Sequence, residues 1–501
     1  MQYQGQQPGG APPDGGPGGA PGEQGSSNVS HSGATELTSD ATLSDQSYSS
    51  TSSAENALLV SGATITISNP TITKTGDDNG DSSDFYGTNA AVFAYSNATL
   101  NITGGTITTN GSHANAVFAY DSGTINITDT KITTSSNNSG GVMVTGGGTL
   151  NATNLTVETS GNSSAPIRSD RGGGTLTVEG GSYTSNGIGS PAIYSTADIA
   201  VKNAKLVATA SEGVVIEGLN SVTLESTTVT DTNNTLNGNS ETYKNIFIYQ
   251  SMSGDAETGT GTFTAKNSTF ITNKGDHFFI TNTTAVINLS GNKFTNNDTT
   301  GAFLRAQSGK WGNSGSNGGN VTLNATSQEI IGDIIIDSIS SLNMNLTGSY
   351  YKGTIENGGN IKLTLDAESV VVLTGDSYVA SLVNATSDNS NIYANGYKLY
   401  VDGTEISINQ GAAPRSFPND GTEATTGEVQ DVSSSDAEPS VNIPVLVSCI
   451  VGGVLIIGAV VAIIIKKKHD RRPKTPEIVS DESNQNSDPI NSAQGLWWLN
   501  E

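Results

Sequence analysis

The sequence of 501 residues contains one cysteine, Cys449. No intramolecular disulfide can form, and zinc or haem sites built on cysteine are excluded. A secreted domain of this kind must be stabilised by packing rather than by crosslinks. Basic side chains are scarce too: 22 Lys and Arg stand against 47 Asp and Glu, a formal net charge of −25. Such a surface repels phosphate backbones, so nucleic acid is set aside as a partner, and neutral, cationic or cation-bridged partners fit better. Histidine occurs only at 31, 113, 277 and 469, never beside a recognisable base. Leucine is sparse and apolar residues do not recur at i, i+3, i+4, which excludes leucine-rich and helical repeats. Only 34% of the chain is hydrophobic, which would suggest disorder unless neighbouring segments share each apolar residue.

What is present is a repeat. Val92-Phe93-Ala94-Tyr95 returns 25 residues later as Val117-Phe118-Ala119-Tyr120, with Val142-Met143 and Ile167-Arg168 at the same offset again. The series continues, less evenly, to Ile193-Tyr194 and Val215-Ile216. A second phrase keeps step through Leu100, Ile125, Leu150, Leu176, Ile199 and Val222, and a third through Ile107, Ile132, Val157, Tyr183 and Leu206. Within each phrase apolar residues alternate at i, i+2, and Gly, Asn, Ser and Asp punctuate, as strands and turns require. A period of this size with three short strands per unit predicts an all-β fold, a right-handed parallel β-helix with one repeat per coil. About 14 coils at the ~4.8 Å strand spacing give a rod of order 70 Å.

Composition divides the chain. Residues 1–53 are Gly/Pro/Ser-rich and read as a disordered segment without the apolar core of a signal peptide. The β-helix is expected over 54–405 as an ectodomain, followed at 406–442 by an acidic flexible stalk. Residues 443–465 read as one C-terminal transmembrane α-helix, since Val445 to Ile465 is uncharged and long enough for ~30 Å of hydrocarbon. Lys466, Lys467, Lys468, Arg471 and Arg472 follow at once, which places the 466–501 tail in the cytoplasm and the solenoid outside. Export then needs a processed N-terminus or an unusual signal.

Several stretches could carry chemistry. Asp77, Asp78, Asp81 and Asp84 fall in one loop, hard oxygen donors suited to Ca²⁺, although Gly80 comes too early for an EF-hand. A solvated acidic turn is the simpler reading. Arg168 and Arg171 flank Asp170 in a glycine-rich turn, either binding a carboxylate ligand or pairing with that aspartate. Trp311, in the excursion "KWGNSGSNGGN", could stack on a sugar or cap an apolar edge. Sequons for N-glycosylation occur at Asn97, Asn101, Asn110, Asn126, Asn151, Asn154, Asn162, Asn282, Asn288, Asn320 and Asn324, among others, and none follows the apolar segment.

The segments "SDFYGTNAAVFA", "GSHANAVFAY", "PIRSDRGGG", "SPAIYSTADI" and "GKWGNSGSNGGNVTLNAT" resemble a family of pectate-lyase-like right-handed β-helix surface proteins, adhesin-like, of gut bacteria and mucosal parasitic protists. The resemblance covers about 54–401 and implies a cell-surface rod whose loops meet host or microbial glycans or proteins. It supplies no catalytic site. The Asn-Thr-Asp and Arg-Ile-Lys of pectinase-like hydrolases are absent, and Asp77-Asp78 and Ser112-His113-Ala114 are faint echoes. The expectation is therefore a non-enzymatic surface glycoprotein, with a polysaccharide lyase or hydrolase and a passive coat as alternatives.

Overall fold

The computed structural model describes residues 29–236, 242–251, 253–356 and 358–414. Strands dominate, and they stack in sequence order into three long parallel sheets of 12, 14 and 10 strands. Each of the first ten coils contributes one strand to each sheet, the arrangement of a β-solenoid, and the C-terminal coils add smaller sheets of four and three strands. One short helix, Asp81–Tyr86, interrupts it as an insertion.

The alternation read from the sequence explains the stacking. In the second sheet, Ile125 and Ile127 of strand Thr124–Thr128 point inward and are fully buried, while Thr124 and Asn126 point outward. Ile125 lies between Leu100 and Leu150, and Ile127 between Ile102 and Ala152. Each coil thus covers its neighbours' apolar side chains, which is how a chain so poor in hydrophobic residues builds a continuous core. The corner between the second and third sheets turns on a residue in the left-handed region, Asn69, Gly104, Asp129, Asn154, Gly180 and Asn203 in successive coils, with φ between 51° and 70°, and in two coils a second glycine, Gly105 or Gly181, follows it at positive φ. Asn, Asp and Gly tolerate this conformation best, so the turn residues of the repeat set its cross-section.

The borders differ from those read in the sequence. Strands Gly33–Leu37, Ala41–Ser44 and Ser47–Ser50 form a coil ahead of residue 54, paired in parallel with the next one. The expected disordered segment is therefore too long. At the other end, Ile406 and Asn409 still bond to the last coil, so the first residues assigned to the stalk belong to the solenoid. That end is closed by the antiparallel pair Leu399–Val401 and Thr404–Glu405. The register also slips once: Ile193 pairs with Val214, not Val215. A slip of one residue exchanges the faces, so Val214 is inward and Val215 outward. The expected membrane helix, its tail and most of the stalk lie outside the described residues. Among the described residues no helix is long and apolar enough to cross a membrane.

Candidate functional site

The outward face of the first sheet is unlike the other faces, because insertions cover it. One outward file runs Leu59, Phe93, Phe118, Met143, Arg168, Tyr194, Val215, Phe247, Phe279 and Arg305, each paired with the next. All but Arg305 are buried. Over its N-terminal part, His31 stacks on Phe93 with ring centres 4.6 Å apart, and burial lowers its pKa to about 4. Gly87, at φ 72°, ends the inserted helix against Phe93 and Phe118, where a Cβ would collide with the Phe93 ring.

The middle of the file is polar and sealed. Arg168 is 1% exposed and bonds Asp170 at 2.9 Å. Burial pushes Asp170 up to about 7, with Arg168 opposing the shift. Arg168 was a candidate ligand residue; the structure buries it in strand Ile167–Ser169, and its guanidinium serves the aspartate. Arg171 reaches Asp255 at 2.6 Å and lies 3.9 Å from the Phe85 ring centre, joining the inserted helix to the 250–259 loop. Next along the file, Glu217 accepts hydrogen bonds from Tyr194 at 2.7 Å, Tyr249 at 2.9 Å and Ser251. Burial raises the Glu217 pKa against those donors.

The four loop aspartates do not converge. Asp77 accepts from the Ser112 backbone N–H, Asp78 from Ser53, Ser83 and the Asn79 N–H, and Asp84 is buried against His113 Nδ1 at 2.9 Å. Asn138 lies 3.0 Å from the other ring nitrogen, so if its amide donates, Nδ1 carries the proton that meets Asp84. Asp81 is exposed at the start of the helix. Among the described residues no three His, Cys, Asp or Glu side chains gather as a metal site would require.

At the C-terminal part of the file lies a narrow cleft, with Phe247 and Phe279 buried at its floor and Trp311, Thr281, Gln307 and Ser308 at its edge. Lys244 stands at one end, its Nζ 4.6 Å from the Phe247 ring centre and 3.1 Å from Glu212. Trp311 is half-buried, tilted against Tyr249 at 5.8 Å. Asn317 holds its loop by donating to the carbonyls of Gly309 and Trp311, at 2.7 and 2.9 Å. Gly312, at φ 80°, rests on the Asn282 side chain, where a Cβ would stand 2.1 Å from Oδ1. Flat rings beside hydroxyl and amide groups suit a ligand with one apolar and one polar face. Sequence reasoning found Trp311 but missed Lys244, Phe247 and Phe279. The available signal was the loss of alternation in "KNIFIY" and "DHFFIT", strands buried on both faces.

The candidate glycosylation asparagines fall into two groups. Asn126 Nδ2 donates to Asn101 at 2.8 Å and Asn151 Nδ2 to Asn126 at 2.9 Å, an outward amide ladder on the second sheet. Asn324 donates likewise to Asn288 at 2.9 Å, and Asn288 to Thr264. Asn154 Nδ2 donates to Asp129 and Asn282 Nδ2 to the Gln250 carbonyl. Asn97, Asn110, Asn162 and Asn320 are exposed, and no hydrogen bond from their Nδ2 occurs among the described residues.

No family model, no curated protein and no solved structure matches the chain.

Proposed function

We propose that this chain is a membrane-anchored surface protein whose solenoid binds carbohydrate in the cleft of Phe247, Phe279 and Trp311, without cleaving it. The observation that supports this reading is the set of three rings beside Thr281, Gln307 and Ser308 in one narrow cleft. The C–H face of a pyranose packs on aromatic rings, and its hydroxyls bond the polar edge. A right-handed hand, as in pectate-lyase-like surface proteins, follows from crossover sterics. Residues 443–465 would anchor the chain, with the solenoid outside. The acids nearest the cleft are already engaged, Glu212 by Lys244, Asp276 by Arg305 and Asp337 by the Ser308 backbone N–H, which favours binding over hydrolysis.

A glycan array probed with the 29–414 solenoid tests this directly, with a reducing-sugar assay on the bound polymers. Binding that Trp311→Ala weakens at least tenfold, with no release of sugar, is expected. Binding to no host, mucin or microbial glycan would leave a passive coat, and release of sugar would make the protein an enzyme.

A further inference from the structure

We infer that N-glycans, on a chain exported as proposed above, are carried at Asn97, Asn110, Asn162 and Asn320, while the strand asparagines Asn101, Asn126, Asn151, Asn288 and Asn324 stay bare. The inference rests on the exported-surface reading and adds to it the modification pattern of the solenoid's faces.

The strand sequons arise from the alternation of the sheet itself. In Thr-Ile-Asn-Ile-Thr, 124 to 128, the asparagine and the threonine two residues on both face outward, and the residue between them is a buried aliphatic. Any outward Asn followed by an outward Thr therefore spells a sequon, whatever its use. These amides have work already. Asn126 donates to Asn101 and accepts from Asn151, and Asn324 donates to Asn288 and accepts from Asn345 at 3.0 Å. A glycan would replace an Nδ2 hydrogen in such a ladder. It would also project between neighbouring rungs only ~4.8 Å away on either side, less than the width of a substituted pyranose. Glycans on adjacent rungs would collide, and one glycan would press on the next amide. A chain modified there folds with a broken ladder, so the folded population is the one left bare.

None of the other four donates its Nδ2 to a ladder, and Asn97, Asn110 and Asn162 lie outside the strands. Asn97 sits at φ 61° in the turn between the first and second sheets, and Asn110 and Asn162 follow strands Thr106–Thr109 and Thr156–Thr159. Asn320 is in a strand, but its neighbouring rungs are the small Thr284 and Ser341 rather than further sequon asparagines, it is exposed, and only its Oδ1 is engaged, by Ser341. Asn154 and Asn282 belong with the bare set, since each donates its Nδ2 at a left-handed corner.

The test is peptide mass spectrometry of the full chain recovered folded from the secretory route of a glycosylating eukaryotic cell, with enzymatic deglycosylation in heavy-oxygen water to mark occupied sites. Occupancy at Asn97, Asn110, Asn162 and Asn320 and near-absence at Asn126 and Asn324 is expected. Asn110→Gln should remove one glycan's mass, whereas Asn126→Gln should remove none. Comparable occupancy at Asn126 or Asn324 in folded protein overturns the partition while leaving the exported reading intact. Bare asparagines throughout in chain recovered from that route overturn the inference that the four exposed sites carry glycans, whereas the exported reading falls only if protease treatment of intact cells fails to release the solenoid.

Discussion

Replacing Ile127 with aspartate puts a charge into the middle of the stack. Ile127 is fully buried, with Ile102 one rung away and Ala152 on the other side. Losing the buried aliphatic costs ~2–3 kcal/mol. Stranding a carboxylate with no partner adds ~3 kcal/mol or more. The total, ~5 kcal/mol, is comparable with the whole stability of an ordinary domain. In a stacked array it falls on the coils that touch the site rather than on the molecule at once. The expected result of Ile127→Asp is local opening: amide exchange accelerates at 99–103, 124–128 and 149–153, and proteases cut between about 97 and 155, while distant coils stay protected. Burial raises the new carboxyl's pKa, so lowering the pH from 7 towards 4 should restore part of the protection. Asn126→Asp, one residue away but facing outward, is the control and should cost only the lost ladder bond to Asn101, ~1–2 kcal/mol. Equal protection in Ile127→Asp and the native chain, or a worse outcome for Asn126→Asp, would show the register to be reversed.

Trp311→Ala should lower glycan affinity at least tenfold and, because the ring is half-buried against Tyr249, lower the melting temperature by a few degrees; unchanged affinity beside that loss would assign it to packing alone. His277 is buried against Thr272 at 2.7 Å, and burial lowers its pKa from 6.5 to about 3. A depressed histidine stabilises the fold above pH 6.5 and loses that contribution as pH falls towards 3. The melting temperature of His277→Gln should therefore fall less steeply than the native curve between those values; parallel curves would refute it. Protease treatment of intact cells should release the solenoid, whereas cleavage confined to 466–501 would reverse the assigned orientation.

The regular coils were legible because Val, Ile and Leu repeat at nearly constant spacing, and the pairs Val92–Val117–Val142–Ile167 fall as the offsets indicate. The first coil was not. Its inward positions are Leu37, Ala41, Leu43 and Tyr48 among Ser, Thr and Asp, and among the described residues a coil covers it on one side only, so its composition resembles the Gly/Pro/Ser-rich sequence before it. The slip at Val214 was hidden because "VVI" offers two equally apolar frames. Of the candidate site, Arg168–Asp170 could be read locally, two residues apart. Arg171–Asp255 could not, because 84 residues separate its partners and only the inserted helix and the 250–259 loop bring them together. Phe247 and Phe279 stand among apolar neighbours in sequence, and only the sheet register turns them outward.

Equivalent residues 25 apart occupy the same environment, and this makes the regular coils interchangeable parts. Excising 100–124 would join Thr99 to Ile125 and restore Thr-Ile-Asn-Ile-Thr in frame, stacked between Ile65 and Leu150 as Leu100 and Ile125 are now. The product loses one rung, ~4.8 Å of length, and keeps the strand stacking, although Asp77 and Asp84 beside the inserted helix lose Ser112 and His113. Unequal recombination between such units therefore yields chains that still fold, and this part of the rod can lengthen or shorten by whole coils without passing through a misfolded intermediate.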